Sequence, residues 1–266
     1  MDELRKRAHE LLQSGEVKLV IGYEQGNGNK VRPVFITNPE DTAKLIFDSR
    51  CVQNLAVYLS KPEVKTIGKP AIVATLPVLR TIIQLASENQ LTDDSAVILG
   101  ITPDGALRNF STLEEIETFI NQFEIQLEER DKKIIEQINQ MTPEERWKFW
   151  VDTLTPCFKC YACRAACPMC YCTKCTVEQN QPQWIPVPSH QLGNLEWHFM
   201  RAMHMAGRCV DCGACARACP ISIPLNLLTK KMMEDMKAQF GEYRIAIKKG
   251  NPMSTFKPED SETFIR

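Results

Sequence analysis

The sequence predicts an α+β chain in four stretches. These are a small α/β domain over residues 1–110, a helical linker or arm over 111–154, a cysteine-rich domain over 155–229, and a C-terminal helix with a tail over 230–266. Three observations predict this. Short apolar runs alternate with helix-start signals as far as Phe110. From Ser111 the apolar period changes to steps of three and four. Eleven of the twelve cysteines then fall between Cys157 and Cys219.

Residues 2–13 set Leu4, Ala8, Leu11 and Leu12 among charges, the pattern of an amphipathic helix. Val17 to Tyr23 reads as a strand and Val31 to Ile36 as its return. Between them, Gly26-Asn27-Gly28-Asn29 supplies the turn. The glycines Gly22, Gly26 and Gly28 lack the G-x-G-x-x-G spacing of a dinucleotide loop, so they belong to a hairpin. Asn38-Pro39 reads as a cap and first helical residue, and a second helix is expected over Cys51 to Leu59. Lys69 to Thr75 is an apolar strand, Pro77 opens a helix to Asn89, and Val97 to Ile101 is the next strand. Strand–helix–strand order with short connections implies some parallel pairing.

Beyond Ser111, Leu113, Ile116, Ile120, Phe123 and Leu127 form a helical seam, which Ile134, Ile138 and Met141 resume. Two readings stand for it: an arm that packs on a partner or links domains, or a helix covering its own domain's core. Thr142-Pro143-Glu144-Glu145 opens another helix. Gln179 to Gln191, with three prolines, reads as a loop. Asn194 to Ala206 and Leu225 to Phe240 read as helices. The tail from Gly250 is polar, either disordered or laid along a neighbour.

Eight cysteines form two copies of one spacing: Cys157-x2-Cys160-x2-Cys163-x3-Cys167-Pro168 and Cys209-x2-Cys212-x2-Cys215-x3-Cys219-Pro220. This is the bacterial ferredoxin pattern for a [4Fe-4S] cluster, in which the last cysteine of each run ligates the other run's cluster. The expected sets are therefore Cys157, Cys160, Cys163 and Cys219 for one cluster, and Cys209, Cys212, Cys215 and Cys167 for the other. The proline after each fourth cysteine ends its short helix, and Gly213 gives the second loop room. Zinc would need only paired C-x2-C units. With no secretory segment in view, a disulfide framework does not fit either. His198 and His204 read as packing or supporting residues, since both runs already have their cysteines.

Cys170, Cys172 and Cys175 follow the first run directly, and Cys51 stands alone. A C-x-C-x2-C triplet with one distant thiolate would hold a third [4Fe-4S] cluster. Alternatively, Cys51 is an ordinary buried cysteine, and the triplet holds an incomplete cluster or takes another kind of ligand. Net charge is −1, which leaves no nucleic-acid footprint. No apolar run is long enough to span a membrane. Across 155–229, Lys159, Arg164, Lys174, Arg201, Arg208 and Arg217 outnumber Glu178, Glu196 and Asp211. They either offset cluster charge or form a solvated face.

Further stretches carry a resemblance: Val20-Ile21-Gly22-Tyr23-Glu24, Arg32-Pro33-Val34-Phe35-Ile36, Cys51-Val52-Gln53-Asn54-Leu55, Cys167-Pro168-Met169-Cys170-Tyr171-Cys172 and Thr255-Phe256-Lys257-Pro258. With the cysteine runs, they make the chain resemble the beta-subunit family of coenzyme F420-reducing hydrogenases and dehydrogenases, in particular bacterial members with a fused two-cluster ferredoxin module. The resemblance implies a cytoplasmic iron-sulfur electron-transfer subunit of a larger redox complex. Its implied partners are a flavoprotein, a hydrogenase or formate dehydrogenase, or a heterodisulfide-reductase-like assembly. It also implies, for some members, FAD that exchanges a hydride with a deazaflavin or nicotinamide carrier. The strand ends Ala74 to Leu79 and Gly100 to Asp104 are where such a flavin would be sought, and the first is apolar apart from Thr75. Without flavin, the N-terminal domain becomes a scaffold that docks partners and supplies Cys51.

Overall fold

A computed structural model describes residues 1–125, 127–179, 181–241 and 245–248. The tail from Gly250, including Thr255 to Pro258, lies outside the described residues. The described chain is α+β: a five-stranded mixed sheet followed by helices and two cysteine loops.

Helix α1 (Asp2–Gln13) buries Leu4, Ala8, Leu11 and Leu12. Strands β1 (Leu19–Gln25) and β2 (Val31–Ile36) pair antiparallel as a hairpin, with Gly28 in the left-handed region of its turn. Pro33 is tolerated because β2 lies at the sheet edge, where a missing N–H costs no ladder bond. A Cβ at Gly22 would come 2.4 Å from Leu45 Cδ2, so the centre of β1 needs glycine for close packing. The Asn38 side chain caps a 3-10 helix over Pro39–Lys44.

The helix expected over Cys51 to Leu59 is shorter than that. Asn54 caps a single 3-10 turn at Leu55–Tyr58, and Pro62 then opens α2 (Pro62–Ile67), which the apolar pattern does not reveal. β3 (Pro70–Ala74), buried throughout, pairs parallel with β1 and with β4 (Val97–Ile101). The crossover is α3 (Leu76–Ser87). A fifth strand, β5 (Leu107–Phe110), returns antiparallel to β4 through a Thr102–Ala106 turn with Gly105 at φ 87°. The sheet order is β2-β1-β3-β4-β5.

The helical seam from Ser111 is not one arm. It breaks into α4 (Leu113–Ile120), α5 (Glu129–Gln140) and α6 (Pro143–Leu154). Helix α4 covers the core of the sheet, burying Ile116, Phe119 and Ile120 against α3's side. Ile135, Ile138, Trp150 and Leu154 of α5 and α6 belong to a second buried cluster. That cluster also takes residues of α8 (Gln191–Met205) and α10 (Leu225–Phe240). Between these lie two one-turn helices, α7 (Ala162–Ala165) and α9 (Ala214–Arg217), one inside each cysteine run and packed against each other. Among the described residues, no helix is long and apolar enough to cross a membrane.

Candidate iron-sulfur site

The two cysteine runs fold the same way. Each has two residues in the left-handed region: Lys159 and Tyr161 in the first, Asp211 and Gly213 in the second, with φ between 53° and 66°. Each then makes its one-turn helix and reaches Cys-Pro. Three of these four residues carry a Cβ, which disfavours that conformation. The repeated geometry turns successive N–H groups inward. Lys159 N–H donates to Cys157 Sγ at 3.3 Å, and Ile223 N–H donates to Cys219 Sγ at 3.4 Å.

Cys157, Cys160, Cys163 and Cys219 line one small cavity of about 20 Å³, with Trp197, His198, Ile223 and Leu225 in its wall. The fourth cysteine comes from the second run. The other four side chains also adjoin: Cys209, Cys212 and Cys215 each feel the charge of Cys167. The two groups meet where Cys163 and Cys215 act on each other. All twelve cysteines are free thiols.

Electrostatics in the two groups follow from burial. Burial pushes Cys163 up to about 12 and Cys215 up to about 11, and it raises Cys157, Cys209 and Cys212 as well. Such thiols ionise only when a cation compensates, so metal binding there would release protons. Cys170 differs: a hydrogen bond with the Cys167 thiol and the charge of Arg201 hold it down at about 7 against the effect of burial.

The donors lining this cavity are all cysteine thiols, the donor chemistry an iron-sulfur group takes. Among the described residues, no three His, Cys, Asp or Glu side chains are gathered closely enough to hold a metal ion. Two buried ring nitrogens at the cavity wall, Trp197 Nε1 and His198 Nε2, have no hydrogen-bond partner in the protein. Burial, then Arg201 and Lys159, push His198 down to about 3, so its ring is neutral. His204 is exposed at the end of α8.

The remaining candidates are less gathered. Cys170 packs against the sheet core and feels Cys175, which packs against the second cluster, while Cys172 is exposed. Beside Cys175, Glu178 pairs with Arg164 at 3.2 Å, and its Oε1 is buried without a partner. Cys51 is buried in the sheet core, accepting from Asp48 N–H at 3.4 Å. Among the described residues, no hydrogen bond joins it to Cys170, Cys172 or Cys175. Its segment instead meets the second run: Arg217 Nη2 donates to Val52 O at 2.8 Å and to Cys212 O at 2.7 Å.

Four residues escaped the motif. Asn194, fully buried on α8, donates through Nδ2 to Cys157 O at 2.6 Å and Thr155 O at 3.2 Å, pinning the first loop. Trp197 lies at the wall of the first cavity outside any motif, and Glu178 stands in the sequence only as one of three acidic residues across 155–229. Arg201, counted only as one of six basic residues, is 6% exposed and stands among Cys163, Cys167, Cys170 and Cys215. The solvated-face reading therefore fails for Lys159 and Arg201, both buried. Lys159 Nζ donates to Pro186 O and to Pro188 O, holding the proline loop against the first run.

At the strand ends where a flavin would be sought, several polar groups bond within the protein. Asn54 Nδ2 donates to Thr81 Oγ1 at 2.7 Å beside Pro77, and Arg80 gives its Nη2 to the carbonyls of Phe123 and Glu124. Thr102 and Asp104 bond to each other within the β4–β5 turn.

No family model matches the chain. A stretch of 99 residues, 36% of the chain, is 32% identical to the F420-dependent formate dehydrogenase subunit beta of Methanocaldococcus jannaschii. The match spans 24% of that protein, so this chain is similar to about a quarter of it.

Proposed function

We propose that this chain is an iron-sulfur electron-transfer subunit of a multi-subunit oxidoreductase. In this reading Cys157, Cys160, Cys163 and Cys219 hold one [4Fe-4S] cluster, and Cys209, Cys212, Cys215 and Cys167 hold the second. The observation that carries the proposal is the cavity that the first three cysteines of one run share with the last cysteine of the other. Crossed donation of that kind is what two-cluster ferredoxins use. The likeness to a formate dehydrogenase beta subunit supports membership of the F420-related beta-subunit family. It also supports partner subunits in a redox complex, and the proposal takes these to be of the flavoprotein, hydrogenase, formate dehydrogenase or heterodisulfide-reductase-like kind.

Such clusters supply one-electron chemistry, so the chain needs no acid, base or nucleophile of its own. Its residues do the rest. The left-handed loops hold the thiols apart, and the N–H groups of Lys159 and Ile223 donate to sulfur. Trp197, Ile223 and Leu225 exclude water from the first site. Net charge, hydrogen bonds to sulfur and solvent exposure are the protein's means of setting potential.

The proposal extends to a third cluster on Cys170, Cys172 and Cys175 with Cys51 as the fourth thiol. Cys51 and Cys170 both pack into the sheet core. Anaerobic reconstitution of the purified chain with an iron count tests both parts. About twelve irons per chain supports three clusters, about eight supports two, and none rejects the proposal. Cys51→Ser lowering the count by about four would identify the fourth ligand. An unchanged count in Cys51→Ser, with a fall in Glu178→Gln, would assign that corner to Glu178 instead.

A further inference from the structure

We propose that Arg201 is a shared counter-cation for the two crossed cysteine sets, and that its fixed charge favours the reduced state of the clusters they hold. The inference rests on the cluster reading above and adds a residue that the cysteine motif does not contain.

Three observations carry it. Arg201 is 6% exposed on α8, where His198 lies one turn before it and Met205 one turn after. Met205 Sδ is 3.8 Å from Cys167 Sγ, so this face of α8 lies on the cysteines. The thiols acting on the guanidinium come from both sets: Cys163 from the first, Cys167 and Cys215 from the second, with Cys170 beside them. Finally, its charge has no carboxylate. From Cys157 onward the ion pairs among the described residues involve Arg164, Arg208, Lys230 and Lys231, and Arg201 has none. Nη2 donates to Cys163 O at 3.1 Å, and Nε is buried without a partner.

A buried charge with no carboxylate partner is costly, and in the unloaded chain the neighbouring Cys170 side chain compensates it only in part. Arginine cannot relieve the cost by losing its proton. The thiolates of a loaded site would supply the missing negative charge. Adding an electron makes such a site more negative, so a nearby fixed cation stabilises the reduced form more than the oxidised one.

The test uses the full chain, assembled anaerobically, in wild-type, Arg201→Gln and Arg201→Lys forms. Iron is counted first, and each form is then titrated reductively by electron paramagnetic resonance. With iron unchanged, Arg201→Gln should lower the reduction equilibrium constant of at least one cluster tenfold or more, about 59 mV for one electron. Arg201→Lys should stay within about threefold of wild type, because it keeps the charge. Equal potentials in all three forms would overturn the proposal, as would a shift in Arg201→Lys as large as in Arg201→Gln. If Arg201→Gln loses iron, Arg201→Lys decides. Full iron at wild-type potential supports the charge role, and loss of iron there too means that the arginine acts by packing. Wild-type chain that takes up no iron removes the cluster reading and this inference together, which separates that failure from the others.

Discussion

At the residue scale, the cysteine loops are defined by backbone conformation as much as by thiols. Tyr161 and Gly213 occupy equivalent places at φ 59° and 66°. Tyr161 tolerates the strain because its ring packs on Trp197 with centroids 5.5 Å apart. Gly213 has no such compensation. A Cβ there would stand 2.7 Å from Arg217 Nη1, on the side chain that holds Val52 O and Cys212 O. Gly213→Ala should therefore cost about 1–2 kcal/mol of stability, read as a lowered denaturant midpoint for the assembled chain. Cys163→Ala tests the first ligand set more directly. It should remove about four irons and leave the second set's paramagnetic signal in place. Unchanged iron would break the assignment of Cys163. The thiols proposed as ligands stand out in the sequence because a cubane would demand a fixed spacing. Arg201 does not, since its role depends on which face of α8 meets the loops, and a count of basic residues carries no such information.

At the element scale, long periodic helices were legible and short elements were not. Leu225–Phe240 and Val31–Ile36 have the bounds that their patterns imply. Strand β5 has only two apolar residues, Leu107 and Phe110, too few for a period to show. Its signal was the turn Pro103-Asp104-Gly105, whose residue types favour chain reversal. The seam from Leu113 to Met141 read as one arm despite the polar gap near Arg130, because steps of three and four return after it. Helix α8 carries the next prediction. Asn194 bridges the carbonyls at the end of α6 and at Cys157, so it ties one helix to the next and both to the first loop. Asn194→Ala leaves buried acceptors unpaired and should cost about 1–3 kcal/mol. Hydrogen exchange should then speed up at residues 155–160 and stay unchanged in β3, whereas equal protection in both would deny Asn194 its pinning role.

At the scale of the whole molecule, the sheet and the cysteine loops are joined by side chains distant in sequence, and no local pattern announces such joints. Glu88, just past α3, is the principal one. Arg208 donates to both of its oxygens, at 2.8 Å through Nε and 2.5 Å through Nη2, and Tyr171 Oη donates at 2.7 Å. Arg208 Nη2 also reaches Met169 O, so one carboxylate holds the segment after the first cysteine run and the residue that leads into the second. Burial alone would raise Glu88, yet Arg208, Gln84 and Tyr171 outweigh it and hold the carboxyl below its usual range. The pair is mostly buried, with side chains 22% and 16% exposed. Removing one partner strands the other, which costs about 3–5 kcal/mol in a fully buried pair and here about 2–3 kcal/mol after allowing for water. Glu88→Ala should therefore loosen the sheet from the loops while leaving the donors of the first set, which pack against the second core, in place. The first cluster's signal should survive. The second should become more labile to chelators, because Cys167, Cys209 and Cys212 pack against the sheet core. Equal lability of both clusters in Glu88→Ala would mean that the sheet supports neither one selectively, and the N-terminal half would then be a partner-docking element rather than a wall of the second site.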